Sequence, residues 1–168
     1  LKTQGIVDSK EVNLGQFYLF EGPQTKITGI VKDSANSIST GNTDKETVEN
    51  ILTWIHKDSG MKSPNDCDQN QKYLMSADYN AAENKWTYPS EVKRKRTAEE
   101  IIISQCFTGC TDYTLVFVAL ARAKGIPATV TETISEKWVA EMVWKNQWNG
   151  AKEGHFFSEV FLKERKGN

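Results

Sequence analysis

A chain of 168 residues is the size of one ordinary domain, long enough to bury a core and too short for two full ones. It is 38% hydrophobic and 26% charged, and its 21 basic and 22 acidic side chains leave a formal charge of −1, which excludes a global pull toward nucleic acid or anionic lipid. No apolar run approaches the roughly 20 residues that cross a bilayer, so no membrane span is expected.

The chain opens at Leu1 with neither an initiator methionine nor a signal-type apolar stretch, and reads as a trimmed or mature fragment whose compartment stays open. Residues 1–42 form an N-terminal segment of unassigned affiliation. Its apolar clusters Phe17–Phe20 and Ile27–Val31, separated by Gly22 and Pro23, read as strand, turn, strand. From residue 43 the pattern becomes helical, and residues 43–168 are taken as the core. Thr43 with Glu46 forms a capping box, and Val48, Ile51, Leu52 and Ile55 recur at helical spacing until Gly60.

Residues Met61 to Arg96 are polar, with Pro64, Pro89 and isolated aromatics at Tyr73, Tyr79, Trp86 and Tyr88. They read as a long loop holding short helical pieces or a ligand-contacting surface, and the basic run Lys93–Arg96 as a solvated face. A second capping box, Thr97 with Glu100, opens a short buried helix over Ala98–Gln105 that Gly109 ends. The next helix, Thr111–Lys124, is apolar without interruption from Leu115 to Ala121 and stops at Gly125 and Pro127. Apolar residues all round its circumference mark it as central. Three strand candidates follow: Ala128–Ile134, Trp138–Trp144 and His155–Leu162. Helices before sheet indicate an α+β architecture, with the central helix packed on an antiparallel sheet.

Three cysteines, Cys67, Cys106 and Cys110, are an odd set, so at least one stands outside any intrachain disulfide. Cys110 falls in the first turn of the central helix, where unpaired N–H groups and aligned peptide dipoles favour thiolate. Gly109 leaves room for a substrate backbone, and the Cys110 N–H is placed to donate to an oxyanion. A thiolate needs a proton shuttle, and the chain has two histidines. His56 lies near the end of an amphipathic helix beside Lys57 and Asp58, the setting of an uninvolved surface histidine. His155 opens a strand directly after a glycine turn, so its ring can reach toward the N-terminus of the central helix, and it is the better base.

The stretch TAEEIIISQCFTGCTDYTLVFVALARAKGIPATVTET, followed by GHFFSEVFL, resembles the transglutaminase-like superfamily, relatives of the papain-type thiol enzymes. The resemblance covers about residues 43–168 and is most specific from Thr97 onward. It implies a nucleophilic Cys110, a base at His155, and an acid that holds the imidazole, usually an aspartate on the strand after the histidine strand. No Asp follows His155. The favoured account is a chain cut before that strand, since KERKGN reads like a hairpin turn awaiting its return strand. Asn168, Glu159 and Glu164 are the other candidates for the orienting group. Gln105, Trp86 and Tyr88 are candidates for a second oxyanion donor, and Asp112 is expected to support the helix N-terminus rather than to catalyse.

The resulting expectation is thiol-dependent acyl transfer or hydrolysis at amide bonds of a protein or peptide substrate. Its alternative is a catalytically impaired peptide-binding module of the same fold. A metal or redox site built from Cys67, Cys106, Cys110 and His155 is the third reading, and a structural bond between Cys67 and Cys106 would point to an oxidising compartment. No phosphate loop, nucleotide fingerprint or calcium loop is visible, so no cofactor or metal is expected.

Overall fold

Threonine hydroxyls start three of the helices. In the computed structural model, which describes residues 18–63, 66–67, 78–80, 85–87, 95–145 and 154–162, the Thr28 hydroxyl accepts from Val31 N–H and opens α1 (Gly29–Ser37). Thr43 accepts from Glu46 N–H at 3.1 Å and opens α2 (Asp44–Thr53), which runs on through a π-helical turn at Trp54–Asp58. The Glu46 carboxylate takes the Asn42 N–H at 2.6 Å, so this box closes one residue earlier than the capping residue. Thr97 and Glu100 make both bonds of a full capping box, at 3.2 and 2.7 Å, ahead of α3 (Ala98–Ser104). Each cap supplies an acceptor to an N–H group that has no partner inside the helix.

The central helix is α4 (Cys110–Ala123). All seven residues from Leu115 to Ala121 are buried, and Val116 and Leu120 are fully so, each contributing roughly 1.5–3 kcal/mol by leaving water. Its end needs Gly125. At φ +75° this glycine donates to Arg122 O (2.9 Å) while Ile126 N–H reaches Ala121 O (2.9 Å), the paired bonds that reverse a helix end. The chain then enters β3 (Ala128–Ile134), passes through α5 (Glu136–Lys145) and returns as β4 (Gly154–Val160). β3 and β4 pair antiparallel, with Ala128 opposite Val160 and Thr133 opposite His155. Helices α1, α2 and α3 lay Val31, Ala35, Ile51, Ile55, Ala98 and Ile101 on α4, while Ala128, Val130 and Val160 meet it from the sheet. This is the α+β core expected, a cysteine-bearing central helix packed on an antiparallel sheet.

Four expectations are corrected. Ile27–Val31 is not a strand: Val31, Ala35 and Ile38 are buried at helical spacing once the Thr28 cap starts α1. Tyr18–Phe20 forms a turn, and Phe17 lies outside the described residues. Trp138–Trp144 is not a strand either. Its alternating Trp138, Ala140, Met142 and Trp144 overlap a helical set, and the helix wins. The Ser135 hydroxyl accepts from Trp138 N–H, Met142 is buried, Trp138 and Val139 are half-buried, and Trp144 is 90% exposed. In the insert, read as loop, the described residues 78–80 and 85–87 pair antiparallel as β1 (Asp78–Asn80) and β2 (Lys85–Thr87), and Tyr79 stands opposite Trp86. Finally, Arg96 is no part of a solvated face, being 7% exposed and ion-paired. Lys95 is exposed, and Lys93, Arg94, Tyr73 and Tyr88 lie outside the described residues. In α3, Ile101 is buried but Ile103 is 59% exposed, so only one face of that helix enters the core.

Candidate active site

Cys110 is the first residue of α4, half-buried, and the free thiol among the three cysteines, because Cys67 and Cys106 form a disulfide. Gly109 before it has no side chain with which to cap the helix, and a Cβ added there would meet no atom of the described residues within 4 Å. The thiol therefore stands beside first-turn N–H groups that favour negative charge, with open space at its approach.

The turn that carries it is held on both sides. Two residues into the helix, Asp112 accepts through Oδ2 from Thr108 N–H (2.7 Å), Thr108 Oγ1 (2.8 Å) and Arg96 Nη1 (3.0 Å). Arg96 also donates to Cys106 O (3.0 Å) and Glu100 O (3.3 Å), and to the Ser104 hydroxyl. From the other side, Lys62 N–H donates to Gln105 O (2.9 Å) and Phe107 N–H to Lys62 O (3.0 Å), next to the disulfide. Asp112 thus supports the helix start, as expected of it. Burial pushes its carboxyl above the usual carboxylate range, outweighing the opposite pull of Arg96 and of the Thr108 donors. Its other oxygen, Oδ1, has no hydrogen-bond partner among the described residues.

His155 is the second residue of β4. Phe161 N–H bonds to Pro127 O (2.9 Å), which pins the end of β4 where the chain leaves α4. A seven-residue strand and a fourteen-residue helix both span roughly 20 Å, so the start of β4 falls at the same end of the fold as Cys110. Gly154 is required there, since a Cβ at that position would sit 2.4 Å from Thr133 O. Alternation along the strand nevertheless turns His155 away. Ser158 and Val160 face α4, and His155, Phe157 and Glu159 are exposed on the other side. No hydrogen bond joins Cys110 Sγ to the His155 ring among the described residues. The structure therefore brings the two to one end of the core, with the His155 side chain on the exposed face of the strand.

The remaining candidates are placed as follows. Glu159 accepts from the Thr131 hydroxyl (2.8 Å) and lies four residues along the strand from His155, about 13 Å, out of reach of its ring. Asn168 and Glu164 lie outside the described residues. Gln105 ends α3 in the left-handed region at φ 51°, with its amide 3.5 Å from where a Gly60 Cβ would stand. Trp86 is on β2, and Tyr88 is not among the described residues. The disulfide removes Cys67 and Cys106 from any thiolate metal set.

The composition of the stretch could not reveal what lies along the Cys110 side of α4. The Tyr113 ring stacks on Phe107 (centroids 3.7 Å apart) and on His56 (5.8 Å). The Tyr113 and His56 rings border a cavity of about 310 Å³, walled also by Leu52 from α2, Thr114 and Phe117 from α4, and Ser158 and Val160 from β4. Burial, with the nearby Asp66 carboxylate, pushes the Tyr113 phenol up, so its hydroxyl stays protonated. His56 is exposed to solvent as expected, yet it belongs to this wall. The legible signal was the Tyr three residues after the Cys.

Compared with known proteins, residues 67–166, more than half of the chain, match the family model described as Transglutaminase-like superfamily. The match takes in Cys110 and His155. No curated protein and no solved structure matches.

Proposed function

The chain belongs to the transglutaminase-like superfamily, whose fold is that of papain-like thiol enzymes, and on that premise we propose that it performs thiol-dependent acyl transfer at amide bonds of a protein or peptide, with Cys110 as nucleophile. One observation carries this reading: the unpaired sulfur stands at the first residue of the central helix, half-exposed, behind a glycine with open space around it. Cys110 Sγ attacks the carbonyl carbon and an S–C bond forms. The amide C–N bond then breaks, and the amine leaves with the proton that the thiol gave up to a base. Water or an amine next attacks the thioester, and the proton it sheds returns to sulfur. The Cys110 N–H, at the helix start, is the donor for the oxyanion.

His155 is the base by motif order, and its place at the Cys110 end of the sheet supports that role. Its outward ring means that the start of β4 must turn inward before a proton passes. His56, on the Cys110 side of α4, is the competing candidate. The outward ring also favours the second reading, a peptide-binding module of the same fold without turnover. The Cys67–Cys106 bond supports action in an oxidising compartment.

Alkylation decides between the two readings. With Cys67 and Cys106 joined, iodoacetamide followed by intact mass reports on Cys110 alone. An activated thiol reacts well below pH 8, as an ordinary thiol does not. His155→Ala should move the pH profile back to that of glutathione, and loss of a base of this kind typically costs about 10²–10⁴ in turnover. An unmoved profile in His155→Ala with a moved one in His56→Ala transfers the role to His56. A glutathione-like wild-type profile leaves the binding module.

A further inference from the structure

Resting on the reading of Cys110 as nucleophile, we infer that the cavity beside α4 is a substrate subsite that takes an aromatic or branched aliphatic side chain on the residue whose carbonyl Cys110 attacks.

Residues three, four and seven positions apart share one face of a helix. Cys110, Tyr113, Thr114 and Phe117 are such a set, and the last three line the cavity. The Thr114 hydroxyl donates to Cys110 O at 2.9 Å, which marks a single unbroken turn between thiol and cavity. That turn rises about 5.4 Å, so a side chain the length of Leu or Phe on the attacked residue reaches from the sulfur into the space. A shorter side chain leaves it unfilled.

The walls set the chemistry. Among the described residues that line the cavity there is no Lys, Arg, Asp or Glu, so a charged side chain would enter without a counter-ion. Leu52, Phe117 and Val160 supply apolar surface, and His56, Tyr113, Thr114 and Ser158 supply the few polar groups. A volume near 310 Å³ is at the small end of ligand sites, suited to one side chain rather than to a cofactor. The Phe107–Tyr113–His56 stack holds one wall in place, so the subsite is formed before substrate arrives.

Acetyl-X chloromethyl ketones with X = Gly, Leu, Phe and Asp test this on the intact chain. Cys110 Sγ bonds to the methylene carbon, chloride leaves, and the thiol proton passes to solvent; intact mass gives the rate, with iodoacetamide as reference. Leu and Phe should exceed Gly by on the order of 10- to 100-fold, the range that burying such a side chain allows, and Asp should not exceed Gly. Leu52→Trp, which fills the cavity from α2, should erase that preference, each ketone rate being taken relative to the iodoacetamide rate of the same variant. Should circular dichroism show this variant misfolded, Ser158→Phe fills it from β4. Equal rates for Gly, Leu and Phe, or a preference that survives in the filled variant, overturn the subsite while Cys110 still reacts with iodoacetamide. Failure of iodoacetamide at Cys110 overturns the nucleophile and the subsite together.

Discussion

Arg96 shows how far a residue's neighbours in sequence mislead about its neighbours in space. Within KRKR it has the look of a solvated face, but its guanidinium bridges the carbonyls of Glu100 and Cys106 and meets Asp112, sixteen residues away. Cys110 was legible because its signal is local, a glycine and a cysteine at the mouth of an apolar helix. A partner for Arg96 lies beyond any local pattern. The pair has a pH signature. Because burial raises the folded Asp112 carboxyl above 3.8, the folded chain holds a proton that the unfolded chain has released. Stability from this source is therefore full below the unfolded value and is lost as pH rises through the folded one. In urea melts across the acid range, the advantage of wild type over Asp112→Asn should shrink as pH climbs past about 3.8. An advantage that grows instead would mean that the pull of Arg96 prevails over burial.

At the scale of elements, caps were readable and period alone was not. The Thr97–Glu100 box is a four-residue signal with a fixed physical meaning, and both its bonds form. Thr97→Ala should lower stability by about 1 kcal/mol, seen as a reduced urea midpoint at unchanged slope, with α4 and its thiol unaffected in alkylation rate. A midpoint equal to wild type would show that packing on α4 holds α3 without its cap. In α1 and α5 the apolar residues fit period 2 and period 3.6 at once, and a hydroxyl cap broke the tie, joined in α1 by burial against α4. His155 shows the same limit: motif order fixed its strand and its end of the sheet, but the pleat decided which way its ring faces.

At the scale of the molecule, the disulfide ties the polar insert to the segment just ahead of the nucleophile. It spans a sequence separation of 39 residues, and chain-entropy reasoning assigns such a cross-link about 4 kcal/mol. Cys67→Ser with Cys106→Ser should accordingly lose on the order of 2–4 kcal/mol in urea unfolding, and dithiothreitol should have a similar effect on wild type but none on the double variant. Unchanged stability on reduction would mean that the contacts of Lys62 with residues 105–107 hold the insert unaided. The central place of α4 was evident from sequence, because a helix apolar on every side can only be wrapped. The position of the insert was not, since it depends on a bond between two sulfurs whose pairing no spacing rule determines.

That bond leaves Cys110 solitary. Many sulfur centres survive peroxide because a second thiol nearby condenses with the sulfenic acid and returns it to service. Here the other two sulfurs are already joined to each other, so an oxidised Cys110 must be rescued by a small thiol from outside or by another molecule, or else pass on to the irreversible sulfinic form.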